Sequence, residues 1–245
     1  MSTILNKDST VNMKILIIVP AYNEEENIAY VINNIRTHFK QGDILVVNDG
    51  STDSTGDIAK EAGVTVISHP CNMGIGVTMQ TGYKYADLKG YNIAIQVDGD
   101  GQHPPDQIHW LLKPVIEGKA DMVVGSRFLG EGDYVPSLAR SIGIRIFSRV
   151  LSLITRERVT DPTSGFRAVN REVIRFFAKN YPEDYPEAEA IMLLHKAGFN
   201  IIEVPAQMKA RVWGKSSINY FHAAYYMVKV LLAIFIDMIK SIQRR

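Results

Sequence analysis

Cysteine is almost missing from these 245 residues: Cys71 stands alone, so no internal disulfide can form. Its solitude fits a reducing compartment. Net charge is scarce as well, +1 at pH 7, which argues against a general nucleic-acid binder. No stretch reaches the roughly 18 uninterrupted apolar residues of a membrane-spanning helix. The strongest candidate, residues 220–239, is broken by His222, Lys229 and Asp237, and its apolar core Val230-Leu231-Leu232-Ala233-Ile234-Phe235-Ile236 is too short to span. Residues 1–13 are polar and lack the apolar region of a signal peptide, so they read as a frayed leader. A Gly-x-x-x-x-Gly-Lys-Ser/Thr phosphate loop is absent. Gly74-x-Gly76 has its next glycine at Gly82, too far for a dinucleotide fingerprint. The histidines show no zinc spacing and Cys71 has no partner, so zinc is discounted. His38, His69, His109, His195 and His222 are expected to be surface or packing residues.

What is present is ordinary in bulk and ordered in pattern. A 46% hydrophobic share and 22% charge suit a folded domain near the upper end of typical size. Continuous β-branched runs alternate with helical periodicity from Lys14 to about Val124. Ile15-Leu16-Ile17-Ile18-Val19 reads as a strand buried on both faces. A helix is expected over about 24–39, with Ile28, Val31, Ile32 and Ile35 on one face and acidic residues in its first turn. Ile44-Leu45-Val46-Val47 and Val64-Thr65-Val66-Ile67 repeat the strand pattern, with helices opening near Asp53 and Ile75. Further strands follow at 93–97 and 122–124. The expected fold class is therefore α/β, a mostly parallel Rossmann-like sheet flanked by helices.

The second half changes character. An amphipathic helix is expected over about 136–154, carrying Arg140, Arg145 and Arg149, with Arg156 just beyond. The segment 161–167 reads as a loop. A helix over about 187–197 precedes a strand at 201–204, and a long helical pattern runs on from about 217. No repeat or low-complexity linker marks a boundary before Lys215.

Polar motifs collect where these strands end, and ligands on such sheets bind beyond the strands' carboxyl ends. The richest is Asp98-Gly99-Asp100-Gly101-Gln102-His103-Pro104-Pro105, directly after Ile93-Ala94-Ile95-Gln96-Val97. Two carboxylates one residue apart can hold a divalent ion and leave positions for substrate phosphates, as magnesium and manganese prefer. A solvated Asp-Gly turn is the alternative reading. An EF-hand is excluded, because His103 and His109 stand where that loop needs Gly and Glu. In Asn48-Asp49-Gly50-Ser51-Thr52-Asp53, Asp49 is suited to hydrogen-bonding a base or ribose, and Ser51, Thr52 or Asp53 to capping a helix. A capped turn with no further role is equally consistent with these residues.

Taken in order, these motifs carry a resemblance. Pro20-Ala21-Tyr22-Asn23-Glu24-Glu25, the Asn48 to Asp53 run, Asn72-x-Gly74-x-Gly76, Asp98-x-Asp100-x-Gln102-His103-Pro104-Pro105, Gly125-Ser126-Arg127 and Ser164-Gly165-Phe166-Arg167 succeed one another. Glu187-x-Glu189, Glu203-Val204-Pro205 and Arg211-x-x-Gly214-Lys215-Ser216 follow. Over about 14–217 the chain resembles an inverting family 2 glycosyltransferase of the GT-A fold. Within that family it looks most like the dolichol-phosphate mannose synthases and related polyprenyl-phosphate glycosyltransferases. The resemblance implies a catalytic domain at 14–216; the pattern over 217–245 reads as an amphipathic helix docking on a membrane or a small integral membrane protein, with a helix packed on the catalytic domain as the alternative. It implies that Asp98, Asp100 and Gln102 bind Mg²⁺ or Mn²⁺ with the donor diphosphate. Pro20, Tyr22, Glu24 and Asp49, with Asp98, would line the nucleotide pocket. Arg127 and Arg140 would hold the acceptor phosphate, helped by Arg211 and Lys215. Asn48 departs from the family's usual first Asp, and Tyr185-Pro186-Glu187-Ala188-Glu189 stands where other members carry a Glu-Asp pair with a general base.

A lipid monophosphate, with a second pKa near 6, is mostly a dianion at pH 7 and needs no base. The task is to bring it to a nucleotide diphosphate, with a metal on the leaving group and arginines on the acceptor. A sugar-hydroxyl acceptor would need proton removal, for which Asp161, Glu187 or Glu189 are the candidates. The expected function is sugar transfer from a nucleotide sugar to a polyprenyl phosphate, by a peripheral enzyme on the cytoplasmic face of a membrane. Transfer to a glycan hydroxyl, and a non-catalytic nucleotide-sugar binder, are the competing readings.

Overall fold

The computed structural model describes residues 13–130, 138–183 and 186–208. The leader up to residue 12 and the expected C-terminal helix lie outside them, as does the expected domain boundary at 216. The elements run β1 (Ile15–Ala21), α1 (Ile28–His38), β2 (Gly42–Asn48), α2 (Thr55–Glu61), β3 (Thr65–Ser68), α3 (Ile75–Leu88) and β4 (Ile93–Gln96). A 3-10 turn at Pro105–Gln107 leads into α4 (Ile108–Ile116) and β5 (Met122–Ser126). Then come α5 (Leu138–Thr155), β6 (Arg167–Asn170), α6 (Arg171–Asn180), α7 (Pro186–Ala197) and β7 (Ile201–Pro205). The seven strands form one sheet in the order β3-β2-β1-β4-β6-β5-β7. All pairings are parallel except those of β6, which runs antiparallel to β4 and to β5. The expected mostly parallel α/β sheet is the fold observed.

Side-chain alternation divides the core into two layers. From β1, Leu16 and Ile18 enter one, with Met79 and Tyr83 of α3, Phe147 and Leu151 of α5, Ile174 and Phe177 of α6, and Ile191 and Leu194 of α7. Ile15, Ile17 and Val19 enter the other, with Val31, Ile32 and Ile35 of α1 and Leu111, Leu112 and Val115 of α4. Both faces of the sheet are covered, which is why its strands read as unbroken apolar runs.

Two local features differ from expectation, and a third sets the spacing of two elements. First, α1 starts at Ile28 and not near 24, because the acidic run makes a turn ahead of it. The N–H groups of Glu24 and Glu25 donate across to Thr55 Oγ1 (2.8 Å) and Asp53 Oδ2 (3.1 Å), outside any helix. Second, the loop expected after 161 turns into β6 at Arg167, and α6 follows at once. β6 is four residues long and opens on a charged side chain, so no apolar run announces it. α6 is capped by Asn170, whose Oδ1 accepts the Val173 N–H at 3.0 Å. The third is Gly82. It lets α3 lie close on β1: a Cβ there would come within 2.5 Å of Ile18 Cγ2.

Gly82→Ala tests that close approach. The alanine gains helix propensity of about 1 kcal/mol. Overpacking against the fully buried Ile18 opposes it, at about 1–3 kcal/mol. Urea denaturation is expected to show a net loss of stability; an unchanged or raised midpoint would mean the two elements can move apart freely.

Candidate active site

The carboxyl ends of β1, β2 and β4 are stitched to one another by backbone bonds that leave a common rim. Asp49 N donates to Ala21 O (2.9 Å), Val97 N to Ile18 O (3.0 Å) and Gly99 N to Pro20 O (3.2 Å). Asn23, at φ 53, turns its backbone so that its N–H meets Ser51 Oγ (3.0 Å) and its Oδ1 accepts the Thr52 N–H (2.9 Å). Asp53 Oδ1 accepts the Thr55 N–H (3.0 Å), so of the capping candidates Asp53 serves the start of α2. Burial raises the Asp53 pKa, but hydrogen bonds from Thr55 and Glu25 outweigh it and leave the carboxyl below its usual range. On this rim Pro20 is buried, Tyr22 is exposed, and the Glu24 carboxylate accepts from Asn27 Nδ2 at 2.6 Å.

Asp49 is more deeply engaged than expected. It is 4% exposed. Its Oδ1 meets His69 Nδ1 (2.8 Å) and the Met73 N–H (2.9 Å), and its Oδ2 the Gly74 N–H (2.9 Å). His69 Nε2 reaches Thr81 Oγ1 at 2.9 Å. His69 is therefore more than a surface residue: it links Asp49 to α3 and fixes the segment before that helix. Asn48, in place of an aspartate, bonds Ser68 Oγ (3.2 Å) and the Ser51 N–H (3.2 Å), a turn-shaping role for which no charge is needed.

The turn after β4 carries the acidic pair. Gln102 N–H closes on Asp100 Oδ1 at 3.0 Å, with Gly101 at φ 77 between them. The Asp98 side chain is 35% exposed. Its Oδ1 accepts from buried Gln96 Nε2 (2.9 Å), and its N–H donates to His103 Nδ1 (2.9 Å). Burial pushes the His103 imidazole down to about 4, so it is neutral at pH 7. Gly165 packs beside this carboxylate. A Cβ there would lie 2.7 Å from Gln96 Nε2 and 3.2 Å from Asp98 Oδ2, filling the space next to the carboxylate.

Arg127, one residue past β5, forms a two-pronged pair with Asp161: Nε to Oδ2 and Nη2 to Oδ1, both 2.7 Å. The Arg127 N–H adds a third bond to Oδ2 at 3.0 Å, and Nη2 also reaches Thr163 Oγ1 at 2.6 Å. The Asp161 side chain has no exposure and that of Arg127 only 8%. Behind them Glu203 on β7 accepts the N–H groups of Thr160 and Asp161 (2.8 and 2.9 Å), pinning the loop. Asp98, Gln102, His103, Arg127, Thr163, Ser164, Gly165 and Met208 together line an open cleft. Asp98 is the one carboxylate in that lining.

The remaining candidates lie apart from it. Asp161 would have to surrender its ion pair to act as a base. Glu187 and Glu189, on α7, do not line the cleft. Burial raises the Glu187 pKa, and nearby Arg167 only partly offsets this. Arg167 is itself 2% exposed and ties Ser164 O to Glu187 O, each at 2.7 Å. The Arg140 side chain, Arg211 and Lys215 fall outside the described residues. Sequence reasoning gave no role to Arg167, Glu203 or His103; each was visible only as a letter in a motif, since its partners lie elsewhere in the chain or across the turn.

The chemistry of this cleft is acidic oxygens on one side and a buried guanidinium on the other. Among the described residues no three His, Cys, Asp or Glu side chains gather to enclose a metal. A pair of carboxylates with Gln102 is the incomplete, all-oxygen set that suits Mg²⁺ or Mn²⁺ when a substrate diphosphate supplies further ligands. Removing the Arg127 counter-charge tests the central pair. Asp161→Asn is expected to lower unfolding free energy by about 3–5 kcal/mol, since it strands a buried guanidinium. A loss below about 1 kcal/mol in urea denaturation would show that the pair is solvent-relaxed.

Residues 16–177 match the family described as Glycosyl transferase family 2. The chain is 34% identical over 78% of its length to a UDP-N-acetylglucosamine–dolichyl-phosphate N-acetylglucosaminyltransferase of Methanococcus voltae, covering 84% of that protein. It is 31% identical to a polyprenol monophosphomannose synthase of Mycolicibacterium smegmatis, over 88% of this chain and 84% of that one. Among solved structures, glucosyl-3-phosphoglycerate synthase of Mycobacterium tuberculosis, in complex with Mn²⁺, UDP and phosphoglyceric acid, shares the fold. Its TM-score is 0.71 at 21% identity, covering 94% of this chain and 80% of that one.

Proposed function

Because the chain belongs to glycosyltransferase family 2, we propose that it moves a sugar from a nucleotide-diphosphate donor to a polyprenyl phosphate, with inversion and with a divalent cation. The observation that carries this reading is the cleft between Asp98 and Arg127. Among the described residues its lining holds the Arg127 guanidinium for an anionic acceptor, and its carboxylate, Asp98, is the one assigned here to the cation. A phosphate dianion is already nucleophilic, so a lipid phosphate needs only this guanidinium, whereas a sugar hydroxyl would need a base as well. The curated relatives point the same way, since their names specify dolichyl-phosphate and polyprenol acceptors.

The chain's own groups divide the work. Asp98, Asp100 and Gln102 would hold Mg²⁺ or Mn²⁺, which supplies charge neutralisation for the departing diphosphate. Gln96 and Gly165 keep the Asp98 carboxylate placed and uncrowded. Pro20, Tyr22 and Glu24 line the donor side, while Asp49 shapes it through Met73 and Gly74. Asp161 fixes the plane of the Arg127 guanidinium, and the acceptor phosphate meets that guanidinium from the cleft. Arg140, Arg211 and Lys215 complete the acceptor side in this reading.

A lipid acceptor requires the cleft to work at a bilayer surface. Among the described residues no helix is long and apolar enough to cross a membrane. α5 offers a peripheral alternative. It contains no acidic residue, and its solvent side presents Arg145, Ile146, Arg149 and Leu153, continued by Arg156. Leu153 is 81% exposed. Apolar side chains among arginines suit anionic headgroups, and residues 217–239 would add an interfacial helix or a partner contact.

Two measurements check this reading. Purified protein offered a panel of UDP- and GDP-sugars with a short polyprenyl phosphate, and no glycan, is expected to form a lipid-linked sugar. Asp100→Asn is expected to cut that turnover by at least about 100-fold while remaining folded. Transfer that appears only when a glycan hydroxyl is supplied would overturn the acceptor. For the membrane surface, the double variant Arg145→Glu and Arg149→Glu is expected to float less with phosphatidylglycerol vesicles at unchanged melting temperature. Equal flotation would remove α5 from the binding surface.

A further inference from the structure

We infer that Met208 is the wall against which the acceptor's apolar chain lies where it leaves the phosphate, and that Gln107 is the residue that positions it. This rests on the lipid-phosphate reading above. Among the described residues the cleft lining is polar or charged except at Gly165, which has no side chain, and Met208. The hydrocarbon of a lipid phosphate begins one ester oxygen away from phosphorus. A phosphate held at the Arg127 guanidinium therefore needs an apolar surface inside the same cleft, and Met208 is the side chain there that supplies one. Its thioether chain is unbranched and polarizable, which suits a flexible isoprenoid. A phosphorylated polyol would instead set hydroxyls against Met208, whose sulfur is only a weak acceptor. The residue thus favours one class of phosphate ester over the other.

Met208 is held in place through the chain that leads to it. Ala206 N–H donates to Ser126 O at 2.9 Å, one residue before Arg127. Gly125 allows this approach: a Cβ there would come within 2.7 Å of Phe166 Cδ1 and 3.0 Å of Ala206 Cβ. Gln207 N–H then donates to Gln107 Oε1 at 2.9 Å, across 100 residues of sequence. Gln107 is 7% exposed and ends the 3-10 turn Pro105–Gln107, with its own N–H bound to Pro104 O at 3.0 Å. Met208 itself is half-buried and packs on the core layer that holds Phe166 and Ala206, while part of its side chain lines the cleft. Consecutive N–H groups are thus anchored to two places, the strand end that presents Arg127 and the turn that follows the acidic motif. Together they fix where the methionine stands relative to the guanidinium.

Two soluble phosphate monoesters of similar size test this without a membrane: isopentyl phosphate, with one isoprene-sized apolar chain, and glycerol 3-phosphate. Both are read by titration calorimetry with Mg²⁺ and UDP or GDP present. The native chain is expected to bind isopentyl phosphate at least about tenfold more tightly, as apolar burial of one small group allows. Met208→Gln, near in volume but polar, is expected to shrink that preference to about threefold or less, and Met208→Leu to keep it. Gln107→Leu, which removes the acceptor for Gln207 N–H, is expected to shrink it as well. Gln107→Glu, which retains an acceptor oxygen, is expected to restore it. A folded Met208→Gln or Gln107→Leu chain with the native preference overturns the inference. So does a native chain that binds both esters equally; if it still forms a lipid-linked sugar, the proposed function stands without this contact. A native chain that binds neither ester fails the acceptor reading first, and this inference with it.

Discussion

The buried pair between Arg127 and Asp161 is the constraint on which one wall of the cleft rests. Two charges withdrawn from water cost several kcal/mol each unless their geometry is good. Here the fork is two-pronged, a backbone N–H joins it, and Glu203 holds the loop from behind. Losing any of these would release residues 160–165. That loop brings Gly165 beside Asp98 and Thr163 beside Arg127. The position of one ion pair thus sets the shape of a cleft whose opposite wall belongs to a different strand.

The rim at the ends of β1 and β2 is held differently, by many single hydrogen bonds among the turns. Asn23, Ser51, Thr52 and Thr55 stitch the turn after β1 to the turn after β2. Asp49 and His69 then fasten the approach to α3. The two walls meet at the turn after β4, where Asp98 sits between Gln96, His103 and Gly165.

The antiparallel β6 explains why the site can be assembled from distant segments. Lying between β4 and β5, it brings Arg167 level with Gln96 on one side and Val124 on the other. From there Arg167 ties the 164 loop to α7. An all-parallel sheet would enter this strand from the opposite edge and carry the 161–165 loop away from Arg127.

Much of this was legible in the chain alone. Unbroken β-branched runs marked the strands of a sheet covered on both faces, helical spacing marked α1, α3 and α5, and the polar motifs fell at strand ends. These signals are local: they depend on periods of a few residues and on short turns, which a sequence displays directly. Tertiary structure decided the rest. The partner of Arg127 lies 34 residues away, and the fork turned Asp161 from a candidate base into a counter-ion. His69 became the clamp of Asp49, and β6 emerged from four residues headed by an arginine. Such roles are set by which strand ends come level and which backbone groups remain to be satisfied. Those are properties of strand order and register, and no short stretch of sequence contains them.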